Sequence, residues 1–274
     1  MRSAIAAQTI QSLQPTITGG KSDIGKTEAV SAPPKDLNYW STRNIDAPTN
    51  YIFGYGSLVN SQSRMASLGN NTFAIPARIS SDFGYVRKWN FHSITKMTAL
   101  GLERVNDGKQ TINGVIYPVS TDDMTIWDNR EVGYKRIEVP WRFVQSVGWQ
   151  GLPSMGKLWA YVPEDGDRRG PANYDYPIVQ SYVDVCTIGF LEYGEEFTKE
   201  FLETTGGWSE WWLNDRLIER RPWVYLREHG MVDKLLANYP SRGNAFNKRQ
   251  HVAFEADCIP ESKLCSKTVA LNPQ

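Results

Sequence analysis

The sequence predicts an α+β fold built on a mixed, barrel-like sheet with a helical C-terminal part. Six strand-like runs lie between Tyr51 and Val162 with one short helical pattern among them, too few helices for a doubly wound sheet. After Asp175 the apolar spacing turns helical. The composition belongs to an ordinary globular chain, with 274 residues of which 41% are hydrophobic and 22% charged.

Taken in order, residues 1–48 read as a disordered leader or transit segment. Ser, Thr, Gly, Pro and Lys dominate it, and its first 22 residues contain no Asp or Glu. Tyr51-Ile52-Phe53 reads as a short buried strand ending in the Gly54-Tyr55-Gly56-Ser57 loop. Tyr85 to Ser93 and Thr98 to Val105 carry aromatic and β-branched residues, and Asn106-Asp107-Gly108 closes the second with a turn. Thr111 to Val119 is a further strand. Ser120 or Thr121 can cap a short helix with Asp122 and Asp123 in its first turn. Gly133 stops that helix, and Tyr134 to Val139 and Lys157 to Val162 resume β character. Pro177 suits the first turn of a helix running to Phe190. Phe197 and Phe201 stand four apart, a Trp-rich stretch (Trp208, Trp211, Trp212) follows, Pro222 breaks the pattern, and Val232 to Leu236 suits a last short helix.

Several function classes are excluded or disfavoured. Thirty basic residues balance 30 acidic ones, so no long-range field attracts a nucleic acid. No apolar run reaches the length of a membrane span. Cys186, Cys258 and Cys265 make no disulfide framework, and His92, His229 and His251 are too scattered for a metal site.

Two local features carry chemistry. Met124, Trp127 and Glu131 share one helical face, so Glu131 takes a place suited to Leu. Desolvation and the negative end of the helix dipole both raise its pKa toward values useful for moving protons. On spacing alone, a buried salt bridge to Arg130 or Arg136 explains this residue better. The second feature is Phe53-Gly54-Tyr55-Gly56-Ser57-Leu58 after a strand, where two glycines admit close backbone approach and exposed amides. It lacks the third glycine of a dinucleotide fingerprint and the Gly-Lys-Ser/Thr of a phosphate loop, so alone it reads as a tight turn.

Together the two segments carry more. F-G-Y-G-S-L, followed about seventy residues later by W-D-N-R-E-V-G-Y-K-R-I-E-V, resembles the γ-glutamylcyclotransferase-like family. The first string is similar to its Tyr-Gly-Ser loop, and the second to its Asp-x-x-Glu segment with a catalytic Glu. G-Y-V-R-K-W-N-F-H-S, T-A-L-G-L-E-R-V and P-I-V-Q-S-Y-V-D-V-C-T-I-G-F are weaker echoes in the right order. The resemblance spans about Tyr51 to Phe190.

It implies a small β-barrel flanked by helices, with the pocket at its mouth, and cyclisation of a γ-glutamyl compound to 5-oxoproline. Glu131 is then the general acid/base, with Tyr55, Gly56, Ser57, Leu58 and Tyr182 binding the substrate and Tyr134 and Arg136 supporting the site. No metal or organic cofactor is implied. The domain reading is a leader over 1–48, the family domain over 49–190, a Trp-rich helical extension over 191–240 and a polar strap or tail over 241–274. A monomer or homodimer is expected, and a catalytically inactive docking protein using the C-terminal helices is the alternative. The unpaired cysteines suit the cytoplasm, and a plastid or mitochondrion follows if the leader is a transit peptide.

Overall fold

The computed structural model describes residues 49–68, 73–106, 109–148, 150–153, 155–218, 228–238 and 245–251, all within one compact unit. The expected 1–48 leader, the break at Pro222 and most of the expected 241–274 tail lie outside the described residues.

A six-stranded sheet runs β6-β8-β1-β5-β2-β7, with β1 Asn50–Gly54, β2 Ile75–Ile79, β5 Ile112–Val119, β6 Tyr134–Glu138, β7 Val144–Ser146 and β8 Lys157–Pro163. The β1–β8 pair is parallel and the other four are antiparallel, so the sheet is mixed. A long antiparallel hairpin of β3 Tyr85–Ser93 and β4 Met97–Arg104 forms a second sheet with β10 Thr205–Gly206. Short pairings among β9 Ile178–Val179, β11 Trp212–Asn214 and β12 Gln250–His251 make the third. The helices are α1 Ser61–Leu68, α2 Met124–Arg130, α3 Gln180–Leu191, α4 Glu195–Thr204 and α5 His229–Asn238.

The expected barrel is not closed. β6 and β7 end the six-stranded sheet without pairing to each other among the described residues. Their composition suits free edges: β6 exposes Lys135, Arg136 and Glu138, and β7 has three residues, of which Gln145 and Ser146 are exposed. The inner strands β1 and β5 are instead buried along nearly their whole length, as a strand covered on both faces must be.

Two helix starts also differ from expectation. Ile178 and Val179 pair with β11, so Pro177 precedes a strand and α3 begins only at Gln180. Buried Asp215 accepts from the Ser181 amide and hydroxyl, both at 2.7 Å, and satisfies the first turn of α3. At α2, the Ser120 hydroxyl accepts from the Asp123 amide at 3.0 Å, which caps the turn over residues 121–123. Asp122 and Asp123 therefore stand before the helix, which opens at Met124.

The core is continuous from the strands into the Trp-rich segment. Phe201 stacks on Phe190 at 4.2 Å, and Trp208 packs between Trp89 and Trp212, 5.1 Å from each. Trp212 is buried, whereas Trp211 keeps 38% exposure and touches Tyr174 edge-on. Among the described residues no helix is long and apolar enough to cross a membrane.

Candidate active site

The site forms where the end of β1 meets the end of α2. β1 delivers Phe53 and Gly54 into the sheet, and the chain then turns sharply through Tyr55 and Gly56 into a single tight helical turn at Ser57–Val59. Gly54 has no room for a side chain, because a Cβ there would lie 2.8 Å from the Leu58 Cβ. A Cβ on Gly56 would stand 3.3 Å from the Tyr182 hydroxyl, so this glycine is what lets α3 bring Tyr182 against the turn.

A deeply buried arginine fixes the turn from behind. Arg87 on β3 packs against the stacked pair Phe190 and Phe201, its guanidinium 5.2 and 4.6 Å from their ring centroids. It donates to the Tyr55 carbonyl (3.2 Å), the Asn113 carbonyl (2.8 Å), the Asn113 side chain (2.9 Å) and the hydroxyls of Thr205 (2.7 Å) and Thr204 (2.9 Å). One side chain therefore ties β3, β5 and the end of α4 to the Tyr55 backbone. Arg64 of α1 does the same on the far side of the turn, donating to the Leu58 and Val59 carbonyls at 2.8 and 2.7 Å.

Glu131 closes the other side. It stands one residue past α2, where its amide still bonds to the Trp127 carbonyl at 3.0 Å. Met124 and Trp127 on the same face are buried, so the helix docks here and takes Glu131 with it. Its side chain is 18% exposed, and its Oε1 lies 3.3 Å from the Arg130 Nε. Burial pushes the carboxyl above the ordinary glutamate value, and the neighbouring Arg130 cation only partly opposes this. Of the two arginines that spacing offered as partners, Arg130 makes the contact. Arg136 turns to Asp128 instead, at 2.9 Å.

Tyr55, Gly56, Ser57, Leu58, Glu131, Tyr134 and Tyr182 line one narrow, part-open cleft of about 330 Å³ counting its mouth. Arg136 is not among the lining residues. Phe53 and Gly54, from the same loop motif though not among the expected binding residues, complete the lining together with Leu100 and Tyr161, which sequence reasoning did not single out for the site. For Tyr161 the only available signal was its place on a strand-like run. Burial holds the hydroxyls of Tyr55 and Tyr134 well above the usual phenol range, so both stay protonated at neutral pH. Tyr55 donates to the Tyr161 carbonyl at 2.5 Å and Tyr134 to the Leu100 carbonyl at 2.7 Å. A larger hollow of about 800 Å³ lies at Ser61, Arg64, Phe73, Glu192 and Tyr193. Its carboxylate, Glu192, is committed to the Ser61 amide and hydroxyl at 2.9 and 3.0 Å, so the smaller cleft is the better candidate for chemistry. Among the described residues no cluster of His, Cys, Asp or Glu is arranged to hold a metal ion.

No family model matches the sequence, and no curated protein matches it. Solved structures do. The chain is similar in structure to γ-glutamyl cyclotransferases. One solved structure, described as a gamma-glutamyl cyclotransferase, is 15% identical, with 67% of this chain and 98% of that one covered and a TM-score of 0.44. A yeast γ-glutamyl cyclotransferase described as specific to glutathione is also 15% identical, over 74% of this chain and 98% of that one, with a TM-score of 0.37. An uncharacterized protein from Homo sapiens is 16% identical, over 56% and 86%, with a TM-score of 0.43.

Proposed function

We propose that this chain cyclises a γ-glutamyl compound to 5-oxoproline and releases the amine that was attached to the γ-carbonyl. The observation that carries the reading is a largely buried carboxylate of raised pKa, Glu131, sharing one narrow cleft with the glycine-bent turn Tyr55–Leu58.

The reaction needs little more. The substrate α-amine attacks its own γ-carbonyl carbon, so a new C–N bond closes a five-membered ring and the old C–N bond breaks. One proton leaves the attacking nitrogen and one must reach the departing nitrogen, and a single carboxylate between them serves both transfers. A carboxyl with an ordinary pKa is a weak base at neutral pH, and the burial of Glu131 strengthens it. Attack places negative charge on the γ-oxygen, and backbone amides of the Tyr55–Leu58 turn are the donors suited to it or to the substrate α-carboxylate. Because nucleophile and electrophile belong to one molecule, the cleft has only to hold the bent conformer. Tyr182 and Tyr134 then serve as walls that select it.

The test is release of 5-oxoproline from a panel of γ-glutamyl amino acids, peptides and amines by the wild-type chain and by Glu131→Gln. Turnover by the wild type alone supports the assignment. Equal turnover by both proteins removes Glu131 from the mechanism, and no turnover across the panel removes the activity.

A further inference from the structure

The aspartate of the Asp-x-x-Glu segment has no part in the reaction as written, yet it touches the wall of the cleft. Asp128 lies three residues before Glu131, on the outer side of α2, with 40% of its side chain exposed. Its Oδ1 accepts the Tyr161 hydroxyl at 2.8 Å and the Arg136 Nε at 2.9 Å. Tyr161 belongs to β8 and lines the cleft with Glu131.

We propose that Asp128 is a positioning residue for the site: by accepting the Tyr161 hydroxyl's one hydrogen bond, it keeps that proton from Glu131.

The number of protons on each group fixes which one donates. A phenol carries one, and the acceptor at Asp128 is a carboxylate, so Tyr161 is the donor in that contact. The same holds at the other two walls, where Tyr55 and Tyr134 donate to carbonyls, which can only accept. All three hydroxyls have thus committed their protons to acceptors other than Glu131. Among the described residues no hydroxyl donates to Glu131, and Arg130 is its cationic partner. Tyr161 and Glu131 line the same cleft, and a hydroxyl released from Asp128 that turns to the Glu131 carboxylate would stabilise the ionised form and weaken the base. The titratable and charged groups around Glu131 are Arg130 on α2, Tyr55 after β1, Tyr117 on β5, Tyr134 on β6, Tyr161 on β8 and Tyr182 on α3. The Tyr117 hydroxyl is buried and has no hydrogen-bond partner among the described residues. Any effect must therefore be shown to pass through Tyr161.

This inference rests on the proposed role of Glu131, but its test does not need turnover. The Glu131 carboxyl is titrated by carbon NMR in the wild type, Asp128→Asn and Asp128→Ala. Both variants remove the same negative charge, so their difference reports the hydrogen bond alone. The asparagine oxygen, held by Arg136, still accepts from Tyr161, whereas alanine frees the proton. Glu131 should titrate about one pH unit lower in Asp128→Ala than in Asp128→Asn. In a Tyr161→Phe background that gap should vanish, which a general loosening of α2 would not produce. Equal titrations in the two variants, or a gap that survives Tyr161→Phe, overturns the assignment. Release of 5-oxoproline by the wild type is scored separately: its absence sinks the ring-closing reading and leaves the titration result standing.

Discussion

Arg130 holds Glu131 and α1 at once. Its Nε lies 3.3 Å from the Glu131 carboxylate, while its terminal nitrogens donate to the Ser63 carbonyl (2.7 Å), the Ser63 hydroxyl (2.9 Å) and the Ser67 hydroxyl. The side chain that fixes the helix end is therefore also the counter-charge that keeps the acid from rising further.

Replacing Arg130 with alanine should lift the Glu131 pKa, since burial then acts unopposed. The acid limb of the kcat/KM profile should move to higher pH, with the plateau less affected. The same change removes charge-assisted bonds to α1 and should cost about 1–3 kcal/mol of stability, read by urea denaturation. An acid limb that moves to lower pH contradicts the charge arrangement described here.

Glu131→Gln separates activity from stability. Turnover of a γ-glutamyl substrate should fall by about 10²–10⁴, the range expected for loss of a general acid/base. Stability should move the other way. The folded carboxyl binds its proton more tightly than the unfolded one, whose value is near 4.5. Ionising it costs the folded state, and that cost appears as pH rises through the raised pKa. The gain in melting temperature from Glu131→Gln should thus be smallest near pH 4 and largest at and above neutral pH. A gain that shrinks with rising pH would contradict the raised pKa.

The physical signals explain which parts were legible in the sequence. β3, β4, β5, β6 and β8 were readable because aromatic, β-branched or other apolar residues recur along each between turn signals, and the observed ends fall within a residue of the expected ones. β2 was not, because Pro76 sits inside it and argues against an inner strand, yet it pairs with β5 on one side and β7 on the other. α1 shows no apolar stripe; it is fastened by polar contacts, Glu192 at Ser61 and Arg130 at Ser63. Glu131 stood out as an acid on an apolar face. Tyr161 and Asp128 did not, because their meeting depends on how β8 sits beside the end of α2, a pairing of residues 33 apart that no local pattern encodes.

Gly56→Ala probes the approach of α3 to the turn. The new methyl would stand 3.3 Å from the Tyr182 hydroxyl and 3.5 Å from the Leu100 side chain, so the tyrosine must give by a few tenths of an ångström. A substrate clasped between Tyr182 and the turn should then bind less well, with KM raised several-fold and melting temperature lowered only slightly. An unchanged KM would place the substrate away from Tyr182.

Arg87 offers the sharpest test of how the turn is held. Its guanidinium is fully buried and meets the Tyr55 carbonyl, Asn113 and the α4 terminus through a planar fork that a lysine ammonium cannot reproduce. Arg87→Lys should therefore behave as a severe change. Losing several bonds and leaving their buried acceptors unsatisfied should cost about 3–5 kcal/mol in denaturant titrations. Arg87 lies behind the turn and does not line the cleft, so the Glu131 pKa should stay within a few tenths of its wild-type value in the fraction that remains folded. A stable Arg87→Lys protein with normal turnover would mean that the Tyr55–Leu58 turn keeps its shape through β1 and Arg64 alone, and that β3 contributes packing and nothing more.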